Sequence, residues 1–146
     1  MIVALFSKEV AAKLDQQLSA SIIESNKDSL SVKGESLFEL ISFLRTMPDL
    51  EFDYLNSITA VDYFEYFEVV YHLTSMKHTH SLVVKTRCYD RENPTVPSIV
   101  SLYQGADFQE REIYDLMGVR FEGHPNMKRI FLWEGFQGHP LRKDYL

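Results

Sequence analysis

"FDYLNSITAVDYFEYFEVVYHLTSMKHTHSLVVKTRCY", Phe52 to Tyr89, is the stretch that decides the fold. Three runs rich in Val, Ile, Thr and aromatic residues are separated by Asp62 to Glu65 and by Met76 to His80, a pattern that predicts a three-stranded antiparallel meander. In the second run Phe67, Val69, Tyr71 and Leu73 alternate with Glu68, Val70, His72 and Thr74. One face is mainly apolar and the other mixed, which suits a sheet covered by helices on one side only.

The flanks carry helical spacing. In "GESLFELISFLRTMPDL", Leu37, Leu40, Ile41 and Leu44 form one stripe and Pro48 marks the stop, so a helix is expected from about Glu35 to Met47. "SKEVAAKLDQQL" predicts a single surface helix from Ser7 to Leu18 with Ser7 as its cap. Between them, the alternation on either side of an Asn-Lys-Asp-Ser turn predicts a small extended pair or one strand. Downstream, Pro97 to Gly105 reads as a short helix with Ile99, Val100 and Tyr103 facing inward. Asp107 and Glu110 resemble a capping box for a second helix, Phe108 to Met117, ended by Gly118. From Val119 the periodicity gives way to Gly, His, Pro, Arg and aromatic residues. The expected architecture is α/β (α+β): an antiparallel sheet with helices mainly on one face in residues 1–118, then an extended C-terminal segment, 119–146, that docks on a partner.

At 146 residues, 45% hydrophobic, the chain can bury one core without staples. The net charge is −6, and before Tyr63 ten acids face five bases. No broad positive field remains, which argues against a nonspecific nucleic-acid binder. Cys88 is the only cysteine, so this chain alone builds neither an internal disulfide nor a cysteine-ligated cluster. "MIVALF" is too short for a membrane span and lacks a secretory pattern, so a soluble protein of a reducing compartment is expected. The glycines never form a nucleotide-binding loop, which disfavours a self-contained NAD, FAD or ATP enzyme.

Charge concentrates in "EREIYDLMGVRFEGHP", Glu110 to Pro125. Arg111 and Asp115 lie four apart on the expected helix and should pair, whereas Glu110 and Glu112 diverge by about 200° and cannot share acid–base work. Among His72, His78, His80, His124 and His139 no HExxH spacing occurs. His124 and His139 each sit in Gly-His-Pro, where proline holds the preceding residue extended, and they read as hydrogen-bonded corner residues. Cys88 reads as a small core hydrophobe. In "KRIFLWEGF" the apolar density is that of a core or a contact: Trp133 and Phe136 are expected to tuck against the sheet, with Arg129, Arg142 and Lys143 facing a neighbour.

Three stretches, "SITAVDYFEYFEVVYHL", "VPSIVSLYQGADFQEREIYDLMGVRFEGHP" and "RIFLWEGFQGHPLRKDYL", resemble the respiratory-chain 30-kilodalton subunit family, which includes the C subunit of bacterial NADH:quinone oxidoreductase (complex I) and the J subunit of its photosynthetic counterpart. The resemblance implies a peripheral-arm subunit of a proton-translocating complex, accessory to the oxidoreductase and without catalysis or cofactor of its own. It implies a 49-kilodalton hydrogenase-like partner and neighbouring iron–sulfur subunits. Clusters, with a flavin or a nickel–iron site, would belong to those partners. Energy-converting hydrogenases and F420H2 dehydrogenases use an equivalent subunit, and a non-redox adaptor is the remaining alternative. The implied place is the cytoplasmic face of the cell membrane, the stromal face of a thylakoid or the mitochondrial matrix, with attachment only through the complex. Glu110, Arg111, Glu112, Asp115, His124, Arg129, His139, Arg142, Lys143 and Asp144 are expected to form the partner interface or its supporting network. Many family members carry a Pro between the terminal Tyr and Leu and continue; here Leu146 follows Tyr145 directly, which suggests a compact member.

Overall fold

The meander forms where the alternation places it: β4 Tyr54–Asp62, β5 Phe67–Ser75 and β6 His80–Cys88, antiparallel, with Tyr71 opposite Ile58 on one side and Val84 on the other. The computed structural model describes residues 2–5 and 7–145, so expectations resting on Met1, Phe6 or Leu146 lie outside the described residues. Upstream, β2 Ile22–Ser25 and β3 Ser29–Val32 make the extended pair, and β3 joins β6 in parallel. The strand order is β2-β3-β6-β5-β4, with β1 Val3–Ala4 also parallel to β6. The sheet is therefore mixed around an antiparallel centre.

Phe67, Val69, Tyr71 and Leu73 are fully buried under the helices. The opposite face of β5 is less solvated than its mixed composition suggests, because this strand is flanked on both edges. Glu68 accepts from Arg87 Nε at 3.2 Å, Thr74 Oγ1 donates to Asn56 Oδ1 at 2.6 Å, and only His72 is exposed. Helix α3, Leu37–Thr46, follows a 3-10 turn at Gly34–Ser36 and buries Leu37, Leu40, Ile41 and Leu44, the predicted stripe. Each such leucine stabilises the fold by about 1.5–3 kcal/mol. Met47 turns extended before Pro48, as proline requires.

The expected helix from Ser7 to Leu18 is two helices, α1 Ser7–Lys13 and α2 Gln16–Ala20. Asp15 causes the break: its Oδ1 accepts the Leu18 N–H at 2.8 Å, so the residue caps a new helix instead of continuing the old one. The expected helix from Pro97 to Gly105 is also absent. Pro97 ends a short strand, β7 Thr95–Pro97, which pairs in parallel with β8 Arg120–Glu122. Ile99 and Tyr103 do face inward, but only isolated turns close there, on the Ile99, Tyr103 and Gln104 carbonyls.

Helix α4, Ala106–Met117, connects the two short strands. Gly105 is its N-cap and makes no side-chain bond, and Asp107 lies inside the first turn, so the Asp107–Glu110 capping box does not form. Its last turn closes as expected, with Gly118 at φ +80° donating to the Tyr114 carbonyl at 2.8 Å. Toward the core α4 presents Ala106, Glu110, Ile113 and Met117. On another face Asp115 and Arg111 bond the tail. At the outer strand of the sheet, the Gln109 Oε1 accepts the backbone N–H of Ile58 in β4 at 2.7 Å. Beyond β8 the tail continues in turns.

Candidate functional site

A backbone without regular structure leaves carbonyls and N–H groups that need partners, and α4 supplies many of them to the tail. Asp115 has no exposed surface, yet its carboxylate is fully engaged. Oδ2 accepts the N–H groups of Ile130, Phe131 and Leu132 at 3.2, 2.7 and 3.0 Å, and Oδ1 accepts Arg129 NH1 at 2.8 Å. Burial pulls its pKa upward, but the Leu132 N–H, Arg129 and the other two N–H groups outweigh this and hold it below the usual range. Arg129 also donates to the Phe136 and Gly138 carbonyls at 3.0 and 2.8 Å. One carboxylate and one guanidinium therefore fix both ends of the loop from 130 to 138.

Arg111 joins this cluster by a route the spacing did not reveal. Instead of pairing with Asp115, it donates to the Lys128 and Arg129 carbonyls, both at 3.2 Å. His139 Nδ1 donates to the Asp115 carbonyl at 3.0 Å, and its ring lies over Gly118, where an added Cβ would stand 2.8 Å from the ring. This position therefore admits only glycine on two grounds, the positive φ and the close ring.

The exposed side chains invert the expectation for Trp133, Arg129 and Arg142, while Lys143 is exposed as expected. Trp133 is 69% exposed and Phe131 65%, with Leu141 also open, while Trp133 meets Phe136 edge to face at 4.8 Å. Arg129 and Arg142 turn inward, their side chains 15% and 16% exposed. Guanidinium groups satisfy backbone carbonyls, whereas the Phe131 and Trp133 rings take no part in those bonds and stand out.

A second cluster gathers the chain's end. Arg142 donates to the Arg91 carbonyl at 2.8 Å and to Asp144, and lies 4.9 Å from the Phe67 ring centre. The Lys143 N–H donates to Asp62 Oδ2 at 2.9 Å. Asp62, at the end of β4, is buried and receives both amino groups of Arg91, at 2.7 and 3.0 Å, plus the Phe64 N–H at 2.8 Å. Arg91, foremost, holds its pKa far below the usual range, with the two N–H groups adding to this against burial. Asp62 and Arg91 were absent from the sequence candidates. They lie 29 residues apart, and the only signal was an acid ending an apolar strand.

Glu110 belongs to neither cluster. It occupies the apolar stripe of α4, fully buried, and accepts Ser98 Oγ at 2.7 Å and the Ile99 N–H at 2.9 Å. Burial raises its pKa despite those donors. Nearby, His124 Nδ1 accepts the Asn126 N–H at 2.8 Å, which leaves the proton on Nε2, facing the Asp107 carbonyl at 3.2 Å and Oδ1 at 3.0 Å. Glu112 is exposed and makes no ion pair among the described residues. Cys88 donates to the Thr95 carbonyl, and burial pushes its thiol up to about 11, so it stays protonated at neutral pH. Among the described residues no three His, Cys, Asp or Glu side chains converge in a way that could hold a metal, and no helix is long and apolar enough to cross a membrane.

Comparison with known proteins matches residues 30–146 to the family described as respiratory-chain NADH dehydrogenase, 30 Kd subunit. The second of the NADH-quinone oxidoreductase C subunits of Rhizobium meliloti is 42% identical over 120 residues, 80% of this chain and 65% of its own length. The NADH-quinone oxidoreductase C subunit of Roseiflexus castenholzii is 38% identical over 148 aligned positions, 97% of this chain and 84% of its own. Among solved structures, a chain from the membrane-bound sulfane sulfur reductase, an archaeal respiratory membrane complex, superposes with a TM-score of 0.68 at 27% identity, covering 80% of this chain and 70% of its own. The family match takes in the whole meander, α4 and the tail it organises. The chain belongs to the respiratory-chain NADH dehydrogenase 30-kilodalton subunit family.

Proposed function

We propose that this chain is an accessory, peripheral-arm subunit of a proton-translocating NADH:quinone oxidoreductase, and that residues 119–146 dock it on the 49-kilodalton hydrogenase-like subunit. The observation that carries this reading is the loop from 130 to 138: Asp115 and Arg129 lock its backbone while Phe131 and Trp133 face solvent. A rigid loop showing large apolar rings loses little entropy on binding and offers the kind of side chain that dominates interface energy. In this reading the electron carriers, iron–sulfur clusters with a flavin or nickel–iron site, reside in partner subunits. The chain reaches the membrane only through the complex, on its cytoplasmic, matrix or stromal side.

A related complex with another donor or acceptor is the second reading, favoured by the likeness to the archaeal sulfane sulfur reductase. Trp133→Ala tests the docking claim. The side chain is exposed, so the stability of the isolated chain should stay within about 0.5 kcal/mol of the parent. Recovery of the tagged complex from membranes should fall at least about tenfold, since central interface aromatics contribute about 2 kcal/mol or more. Full recovery of the complex would refute the proposed contact.

A further inference from the structure

A second group of exposed rings, sharing no residue with the loop from 130 to 138, gathers at the turn between β4 and β5 and just past the end of β6. Tyr63, Phe64 and Tyr89 are 46%, 58% and 62% exposed, and Tyr66 bridges them, its ring centre 5.3 Å from those of Tyr63 and Tyr89. Phe64 adopts φ +69°, a conformation unfavourable for a residue with a Cβ. Its N–H is held by buried Asp62, so an apolar ring is kept in water by a strained backbone. Such strain, maintained by a buried carboxylate, marks a position held for contact.

The charges at this surface indicate which contact. Arg87 is held by Glu68 and Glu24, Arg91 by Asp62 and Asp144, and Arg142 by Asp144. Glu65, Asp90 and Glu92, interleaved with the rings, are exposed and have no cation within ion-pair distance among the described residues. Lys143 offsets them only in part. The rings already accept cations: the Arg87 guanidinium lies 4.8 Å from the Tyr66 centre and the Lys143 ammonium 5.1 Å from that of Phe64.

We propose that Tyr63, Phe64, Tyr66 and Tyr89 form a second docking face, which takes an arginine-rich segment of a partner protein. Guanidinium groups stack on the open ring faces while Glu65, Glu92 and the Oδ2 of Asp90, whose Oδ1 is taken by the Glu92 and Asn93 N–H groups, accept their N–H donors. The face adjoins the chain's end, where Lys143 reaches Phe64, but shares no residue with the loop from 130 to 138.

The test titrates the full chain, isotope-labelled, with a blocked Arg-Gly-Arg-Gly-Arg peptide at low salt, using the lysine and glutamate versions as controls. Ring resonances of Tyr63, Tyr66 and Tyr89 and the amides of Phe64, Glu65 and Glu92 should shift. The lysine peptide should bind more weakly and the glutamate peptide not at all. Tyr89→Ala should weaken arginine-peptide binding about fivefold, the loss of one cation–π contact. Because both side chains are exposed, the Glu65→Gln, Glu92→Gln double variant should weaken binding with unchanged thermal stability, which separates recognition from folding. Trp133→Ala should leave the titration untouched. Shifts centred on the acidic residues before Tyr54, or unaltered affinity in Tyr89→Ala, would overturn the proposal. So would self-association that Tyr89→Ala abolishes in sedimentation, since the occupant would then be a second copy.

Discussion

Asp115 and Asp62 are both buried aspartates that hold tail backbone, but they do so with different sets of donors. Asp115 accepts three consecutive N–H groups and one guanidinium nitrogen, all from residues within 17 positions of it. Asp62 takes both amino groups of Arg91 and two N–H groups, one of them 81 positions away. The first shapes a loop, while the second ties the chain's end to the edge of the sheet. Arg91 keeps Asp144 as a further partner at 3.1 Å, whereas the three amides at Asp115 have no other acceptor among the described residues. Redundancy, not burial, should separate their energetic weight.

The strongest test of that contrast is Asp115→Ala. It orphans three partly buried amides together and strips Arg129 of its only carboxylate among the described residues, leaving the guanidinium with carbonyl acceptors alone, and should cost about 3–5 kcal/mol in urea unfolding. Asp62→Ala should cost less, about 1–3 kcal/mol, because Arg91 retains Asp144 and some solvent. Its signature should be faster hydrogen exchange at Phe64 and Lys143, with the amides of 130–132 unaffected. Equal losses in the two variants would remove the distinction.

Acid titration sharpens the comparison further. Both folded pKa values lie below the unfolded value of about 3.9, so both contribute stability that is present above that pH and lost as pH falls toward the folded values. Unfolding free energy measured between about pH 5 and pH 2 should therefore fall with pH in the parent, and Asp62→Asn and Asp115→Asn should each flatten the slope. Glu110 works in the opposite direction. Its folded pKa is raised, so the folded state holds the proton longer and stability declines as pH rises through that raised value. Glu110→Gln should abolish this decline, the smallest effect of the set, read as a difference in denaturation midpoint as pH is raised above the unfolded glutamate value of about 4.3.

Much of this fold was legible because local period and global burial agree: the meander, the stripe of α3 and the glycine stop at Gly118 follow from side-chain spacing alone. The failures share one cause, the competition of side chains for backbone groups. Asp15 captures an N–H and starts a second helix; Glu110 captures the Ile99 N–H, and Pro97 joins a strand, so no helix forms between. Glu110 itself was readable, since it falls at the apolar interval between Ala106 and Ile113. The inversion of the tail was not. Hydrophobicity says which groups avoid water, but not which carbonyls of an irregular backbone need Arg129.

The Gln109 amide on β4 has a consequence for the time before assembly. A newly made polypeptide waiting for its neighbours exposes the outer margin of a six-stranded sheet, where another chain could add and begin a fibril. By occupying the Ile58 N–H, a single neutral side chain blunts that template from within the same molecule. The protection comes from the chain's own helix and needs no second molecule.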